Sequence, residues 1–504
     1  MLSRLFGIKE AGSAIRREIA AGVTTFLTMA YIIFVNPGIL SDAGMDKDAL
    51  ITATILASAF GTLLVGLWAN VPFAMAPGMG LNAAFVFMLV LGKEVTWETA
   101  LGVVFLSGVF FLLLTLFGIR ARIVRAIPMH LRLAIAAGIG LFITFIGFQK
   151  LGLVTAHPAT MVHMTDKFSA SLCLGLAGLG LTVILEVRKV KGSILTGILL
   201  TTLLALFFVE DVALPERILS APPSIAPVFM RIDLFSALKW SMWGSIFSFM
   251  FVDLFDSVGT IVACSYEAGL VEEDGSIRKI DRLLGSDAVA TIAGSLLGTS
   301  TTTTYIESGA GIAQGGRTGF AAVVTAVLFL AALPLTPLIG IVPAFATAPA
   351  LIVVGIYMFK NVLKIDLANL ESAVPAFFTI VLMPLTYSIS TGIGFGFVSY
   401  ALVMAASGEA RKVHPVMWTI AMLAAADLVL SFSCRTGRTS SCTRGDYRAE
   451  EVPALMVRAV SFTLRPVANP PPSAPARNLL ENSSSLLNPP MFIDPPLRTT
   501  TSVA

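Results

Sequence analysis

Apolar runs long enough to cross a lipid bilayer recur along most of this chain. Two examples, 101–117 and 133–148, carry no charged residue, and a membrane helix needs about 20 mostly apolar residues. The pattern predicts fourteen membrane segments in two sets of seven. The first set lies near 21–39, 50–69, 79–92, 99–118, 131–150, 170–187 and 193–210. The second set lies near 243–264, 285–297, 307–316, 319–341, 346–360, 373–388 and 390–406.

Two of these segments are short, and each follows a stretch that favours extended backbone. Pro72 and Pro77 precede the first, whose short helix is predicted to open near Asn82. The second belongs to GTSTTTTYIESGAGIAQGG (298–316), in which a β-branched run precedes a short helix predicted to open near Glu307. Paired interrupted segments at matching places indicate a transporter site. Two unrelated Gly-rich loops are the alternative, because proline and glycine are common in membrane helices.

The composition places the chain in the membrane rather than in water. Of its 504 residues 56% are hydrophobic and 13% are charged, about half the charged fraction of a typical soluble domain. We therefore predict an all-α polytopic membrane protein. Because seven crossings reverse the direction of the chain, the two sets form a 7+7 inverted repeat with two extended arms and two half-helices. The net charge of +3 comes from short clusters between apolar runs, so no nucleic acid is expected as a partner.

The loops between segments differ in charge on the two sides of the membrane. The N-terminus lacks the apolar core and cleavage site of a signal peptide, so the first segment is predicted to be retained. The positive-inside rule places the N-terminus in the cytoplasm of a cell whose cytoplasmic (inner) membrane holds the protein. The basic residues that fall on that side are Arg16, Arg17, Arg120, Arg122, Arg125, Arg132, Arg188, Lys189, Lys191, Lys360, Lys364, Arg411 and Lys412.

The character of the chain changes near residue 430. Residues 415–430 can form one further apolar helix, but 431–504 show no periodicity and many Pro and Ser residues. We predict a permease domain over 1–430 and a disordered tail over 431–504. We also hypothesise that this tail is an aberrant product of a frameshift, which resequencing of the gene would test.

Acidic residues inside the apolar segments are the candidate chemistry. Glu307 follows the threonine run, and Asp253 and Asp256 lie three apart in FVDLFDSVGT (251–260), on one face of a helix. Intramembrane acids usually face a bundle interior or a water-filled path. Carboxylates there suit a ligand that presents N–H donors, and they suit proton coupling. Structural hydrogen bonds to helix ends are the alternative, and Asp253 fits supporting and ligand-contacting roles equally.

Several uncharged residues near the two short segments are weaker candidates. Asn82 is predicted either to contact substrate or to cap its short helix. Phe73 can stack on a planar ligand or simply pack. Thr28 and Thr304 are predicted to support the site, although a membrane threonine often bonds its own backbone. No phosphate-loop, zinc-protease or esterase motif is present, so no enzyme activity, metal or cofactor is expected.

The motifs together resemble a known family. GVTTFLTMAYIIFVNPGIL, APGMGLNA, FVDLFDSVGT, GTSTTTTYIESGAGIAQGGRTG and STGIGFGFVSYAL are similar to those of AzgA-like purine permeases, which belong with the nucleobase–ascorbate and nucleobase–cation symporters. The resemblance covers roughly residues 1–430. It implies proton-coupled import of adenine, guanine or hypoxanthine. It also implies that Asn82, Asp256 and Glu307 contact the purine, with Glu307 binding ring N–H groups and either acid carrying the proton.

The same resemblance implies an architecture and a mechanism. A core, about 15–118 and 243–341, would move like an elevator against a gate, about 119–210 and 342–430, with a homodimer contact through the gate. Two rival functions stay open at this point. An anion exchanger of the same inverted-repeat architecture would present positive groups at its site, which the two acids disfavour. A channel could also use broken half-helices, but it would not accumulate purines.

Overall fold

The computed structural model describes residues 2–117, 126–210, 212–215, 217–272 and 277–435. Within these residues nine helices are long and apolar enough to cross a membrane, and four more apolar helices are shorter. The predicted all-α polytopic membrane protein is therefore confirmed. Residues 118–125, which include three of the arginines used for orientation, and 436–504, which form most of the predicted tail, lie outside the described residues.

The first half of the chain contains eight numbered helices and three short strands. Helices α1 and α2 form one kinked crossing, and π-type turns at Val65–Ala69 and Ala84–Val90 extend α3 and α4. A hairpin of β2 and β3, which the hydropathy pattern did not predict, separates α6 from α7. The bounds are α1 Ile15–Met29, α2 Ile32–Leu40, α3 Lys47–Leu64, β1 Met75–Pro77, α4 Met79–Ala83, α5 Trp97–Leu116, α6 Met129–Leu151, β2 Val154–His157, β3 Met161–Met164, α7 Ala170–Val187 and α8 Ser193–Phe208.

The second half repeats this order of long helix, long helix, extended arm and short helix. Short unnumbered helices lie at Leu2–Leu5, Leu234–Ala237 and Thr336–Gly340. The last helix, α16, continues to Arg435, five residues into the stretch predicted to be a disordered tail. The bounds are α9 Trp243–Ala268, α10 Ile280–Leu297, β4 Thr302–Thr304, α11 Ser308–Ala313, α12 Gly319–Ala331, α13 Ala344–Phe359, α14 Leu370–Thr386, α15 Ile389–Ala406 and α16 Pro415–Arg435.

The two predicted arms meet at the centre of the molecule. Strands β1 and β4 pair antiparallel, with Met75 opposite Thr304 and Pro77 opposite Thr302. The pairing satisfies backbone groups that would otherwise be costly at membrane depth. Each arm leads directly into a short helix, α4 or α11. This arrangement is the inverted repeat that the two interrupted segments predicted.

The starts of the two short helices test the sequence boundaries. Helix α11 begins after Glu307, which is its N-cap residue, as predicted. Helix α4 begins at Met79 with Gly78 as the N-cap residue, so the predicted start near Asn82 is wrong by about one turn. Asn82 lies inside the helix and does not cap it. Gly78 is the last residue of the proline-rich arm, because its amide donates to the carbonyl of Thr301 at 2.9 Å and α4 begins at the next residue.

Two groups of helices surround the arms. Helix α1 packs on α11 and α12, and α5 packs on α9 and α10. On the other side α6 and α13 cross closely at Gly140 and Gly355, where a Cβ on Gly355 would lie 2.5 Å from the Gly140 carbonyl oxygen. Glycine is required there because the two backbones touch. Large apolar side chains such as Leu203, Phe207 and Phe377 remain exposed on the outside of the bundle, as lipid contact requires.

Candidate functional site

Glu307 stands at the end of the second arm and the start of α11. Its carbonyl oxygen accepts from the Ala310 amide at 3.0 Å, which begins the helix. Its carboxylate oxygen Oε1 accepts a hydrogen bond from the hydroxyl of Tyr31. The side chain is only partly buried, while Tyr31 behind it is fully buried. One carboxylate oxygen is therefore held by Tyr31, while the residue as a whole keeps part of its surface exposed.

Asp256 approaches the same place from α9. It is partly buried, and it lies within electrostatic range of Glu307. A Cβ built on Gly78, at the base of α4, would be 3.7 Å from its Oδ2 atom. One turn further along α9, Gly259 is exposed and has no side-chain or backbone atom within 4 Å of its Cβ position. Asp256 and Glu307, both partly buried, therefore lie near each other at the arms, and the surface of α9 one turn beyond Asp256 is uncovered.

A second pair of acids lies behind the arms. Asp287 on α10 is fully buried, and its carboxylate accepts from the Ser257 hydroxyl at 2.5 Å and from the Thr304 amide at 3.2 Å. Asp253 is 1% exposed and accepts from the Thr291 hydroxyl at 3.4 Å. These bonds tie strand β4 to α9 and α10. Asp253 on α9 is therefore hydrogen-bonded to α10, and Asp287 on α10 is hydrogen-bonded to β4. The supporting role of Asp253 stays a prediction.

Asn82 lies at the centre of a buried amide and hydroxyl network beside the first arm. Its amide nitrogen donates to Asn36 Oδ1 at 2.5 Å, and its amide oxygen accepts from the Ser300 hydroxyl. Asn36 in turn donates to Thr54 at 2.6 Å and to Thr299 at 3.0 Å. Asn82 is fully buried. A purine contact would therefore have to share an amide that is already engaged, and this predicted role remains untested.

The remaining predicted site residues surround the arms at different depths. Phe73 is fully buried in an apolar cluster with Val65, Ile261 and Ile312. Thr304 is buried in β4, and within the described residues its hydroxyl has no hydrogen-bond partner. Thr28 bonds its own helix at Thr24 and Thr25, and also reaches the Glu307 carbonyl oxygen at 3.5 Å. Among these three residues, Thr28 has a hydrogen bond to Glu307.

The electrostatics of the site are negative. Within the described part of the chain no Lys, Arg or His forms an ion pair with Asp256 or Glu307. Nor does any group of three or more His, Cys, Asp and Glu side chains there have the spacing of a metal site. Two acids without a basic partner attract N–H donors and protons and repel anions.

Sequence reasoning missed two residues of this site. Asp287 is an acid in the apolar stretch 283–297, and the rule that selected Asp253 and Asp256 would have selected it too. Tyr31 gave no comparable signal, because an aromatic residue in an apolar segment is ordinarily packing. Glu18 shows that the rule also finds structural acids: it is fully buried and accepts from the amides of Arg317 and Thr318 before α12.

Solved structures with a similar fold are anion transporters. The transmembrane domain of a cyanobacterium bicarbonate transporter, BicA, aligns with a TM-score of 0.58 at 15% identity, over 76% of this chain and 97% of that one. Murine Slc26a9, an anion transporter in the inward-facing state, aligns with a TM-score of 0.55 at 10% identity, over 78% and 69%. At these identities the likeness shows the shared fold alone.

Comparison of sequences identifies the family of this chain. The chain is 42% identical to the adenine permease AdeP of Escherichia coli, over 84% of this chain and 95% of that protein. It is 45% identical to the guanine/hypoxanthine permease PbuG of Bacillus subtilis, over 83% and 97%. A putative permease, MJ0326, of Methanocaldococcus jannaschii is also 45% identical, over 84% and 97%. The family model described as the Permease family (Xan_ur_permease) matches residues 16–432, so this chain is a member of that permease family and a transporter rather than an enzyme.

Proposed function

We propose that this protein imports purine nucleobases together with protons across a cytoplasmic membrane. The substrate class is supported by relatives named as adenine and guanine/hypoxanthine permeases. The coupling ion is proposed from the chemistry of the site. The observation that carries the proposal is the pair of partly buried acids, Asp256 and Glu307, which lie near each other where the two arms meet.

Glu307 is the proposed acceptor for ring N–H groups of the purine. A carboxylate accepts strong hydrogen bonds and cannot donate when ionised, so it selects a ring edge that carries hydrogen. Backbone amides at the starts of α4 and α11 supply donors for ring nitrogens or carbonyl oxygens. Asn82 and Phe73 remain proposed contacts of lower rank, because both are fully buried in the described conformation.

Asp256 is the proposed partner in proton coupling. Within the described residues its carboxylate accepts no hydrogen bond, whereas Glu307 is held by Tyr31. A carboxylate that lacks donors and lies near a second negative charge gains most from taking up a proton. Binding of that proton would lower the repulsion between Asp256 and Glu307 as substrate enters. Asp253, Thr28 and Thr304 are proposed to support this arrangement.

The movement that we propose is an elevator of the core, about 15–118 and 243–341, against the gate, about 119–210 and 342–430. In support, the arms and both acids belong to the core ranges. The close crossing of α6 and α13 at Gly140 and Gly355 lies wholly within the gate ranges. We also propose an N-terminus in the cytoplasm of a cell whose inner membrane holds the protein, and a homodimer through the gate.

Anion exchange is the rival function with the same architecture. The structures that resemble this chain transport anions, but at 15% and 10% identity they bear on the fold alone. An anion would have to bind beside two acids that have no ion-pair partner within the described residues. The cost of placing like charges together in a low-dielectric site disfavours that ligand.

The test is uptake of labelled adenine, guanine and hypoxanthine by cells that lack their own purine carriers. We expect saturable uptake of at least one purine that collapses when a protonophore removes the proton gradient. Labelled bicarbonate serves as the competing ligand, and surface detection of the protein controls for insertion. Absence of purine uptake by protein that is inserted in the membrane would refute the purine assignment. Purine uptake that is unchanged by the protonophore would refute proton coupling.

A further inference from the structure

Tyr31 occupies the kink of the first membrane crossing. It lies between α1 and α2, where the amides of Ile33 and Phe34 bond three residues back, at 3.1 Å each, instead of four. Pro37 in the next turn lacks the amide that a regular helix would use. The tightened turn is therefore a fixed feature of this crossing. It aims the Tyr31 ring inward, where the side chain is fully buried.

The hydroxyl of Tyr31 meets the carboxylate of Glu307, 276 positions later in the chain. Within the described residues this is the hydrogen bond that satisfies the buried phenol. Thr28, one turn earlier, reaches the Glu307 carbonyl oxygen at 3.5 Å. The first crossing thus contacts both the main chain and the side chain of the residue that begins α11.

Helix α11 itself is too short to fix Glu307 alone. It spans six residues, and Glu307 as its N-cap residue makes no side-chain capping bond. Close packing brings α1 against it, because a Cβ on Gly311 would lie 2.1 Å from the Thr25 hydroxyl. Helix α1 therefore packs directly on α11, and Tyr31, just after α1, donates to Oε1 of Glu307.

We propose that Tyr31 is a positioning residue that orients the Glu307 carboxylate for substrate. By engaging Oε1 it stops rotation of the carboxylate and leaves Oε2 as the oxygen that accepts a ring N–H from the purine. The inference rests on the proposed function, because it concerns the same site. It adds that recognition by Glu307 depends on a phenol in the opposite half of the inverted repeat.

Tyr31→Phe removes the hydroxyl and keeps the ring. We expect the KM for purine uptake to rise about tenfold, the worth of a hydrogen bond to a charged group, with the maximal rate changed much less. KM does not depend on how much protein reaches the membrane, so poor insertion would not imitate this result. Tyr400→Phe is the matched control, because the buried Tyr400 ring packs against His130 within the gate ranges, and loss of its hydroxyl should leave KM unchanged.

Coupling between the two side chains gives a second, independent readout. Glu307→Asp keeps the charge but draws the carboxylate away from Tyr31, so it should raise KM by itself. Adding Tyr31→Phe to that variant should then raise KM no further, since the contact is already broken. Additive effects of the two changes, or a Tyr31→Phe protein with the KM of the parent, would overturn the positioning role. Absence of uptake by the inserted parent protein would instead refute the proposed function.

Discussion

The two arms of the inverted repeat share a backbone design but differ in chemistry. Each arm is a three-residue strand followed by a short helix, and the strands pair with each other. The first arm leads to Asn82, which is fully buried and hydrogen-bonded on both sides of its amide. The second leads to Glu307, which is partly buried and held at one oxygen by Tyr31. The same geometry therefore places a fully buried amide in one half and a partly buried carboxylate in the other.

This difference shows that an inverted repeat can conserve the backbone arrangement of its two halves while the side chains at matching places differ. Backbone pairing and helix starts depend on shape, which both halves can supply. An acid at the fully buried position of Asn82 would add negative charge near Asp256 and Glu307, at a large electrostatic cost. An uncharged amide avoids that cost and still satisfies Asn36 and Ser300.

The largest effect is expected from Glu307→Gln. The amide replaces one charged acceptor oxygen by a donor, so uptake at low purine concentration should fall about a hundredfold. Initial rates of labelled purine uptake, normalised to surface protein, measure this. Glu210→Gln, an exposed acid after α8, is the control and should transport normally. Near-normal affinity and rate in the Glu307 variant would remove the contrast between the arms.

Asp256→Asn tests whether the two acids divide their roles. An amide cannot take up the proton, so we expect uptake to fall about tenfold or more and to lose its dependence on external pH. Rates measured across a pH series with a fixed purine concentration show both effects. The exposed Asp366→Asn serves as control. A variant whose pH dependence matched that of the parent would exclude Asp256 from coupling.

Asn82→Ala tests the amide beside the first arm. The change removes one hydrogen-bond partner each from Asn36 and Ser300 in a buried network, at about 1–3 kcal/mol for each group. Asn36 keeps its bonds to Thr54 and Thr299, so only its Oδ1 atom and the Ser300 hydroxyl lose a partner. We therefore expect a lower unfolding temperature of the purified protein and a KM raised only several-fold. Asn361→Ala, which loses one bond to the Met358 carbonyl oxygen outside the arms, should be milder. A large rise in KM with unchanged stability would make Asn82 a direct purine contact.

Phe73→Leu should give the smallest effect. The ring packs against Val65 and Ile261 behind the first arm, so the substitution should cost about 1 kcal/mol of stability and leave KM within about twofold. Thermal unfolding measures the change in stability, and uptake kinetics on the same preparation measure the change in KM. Phe73 would have to be reassigned as a stacking partner if KM rose sharply while the unfolding temperature held.

Part of the site was predictable because charge is costly at membrane depth. Glu307, Asp256 and Asp253 stood out as acids in apolar segments, and Asp287 carried the same signal. Tyr31 was not predictable, since its role depends on a partner 276 positions away and on a kink that brings the two together. The start of α4 was misplaced because proline and glycine content marks an interruption without fixing which residue caps it.

The sequence by itself determined that the chain spans a membrane many times and where its two interrupted membrane segments lie. It also identified the acids that lie in apolar segments. These properties follow from local hydropathy and from the free-energy cost of burying a charge in a membrane. Both can be read from the residues that surround a position in the sequence. The tertiary structure decided which acids are fully buried among hydrogen-bond donors and which stay partly exposed. Asp256 and Asp253 are three residues apart on one helix, and Glu18 and Glu307 are both acids near helix starts. Their surroundings differ because packing between distant segments buries Asp253 and Glu18 completely and leaves part of Asp256 and Glu307 uncovered.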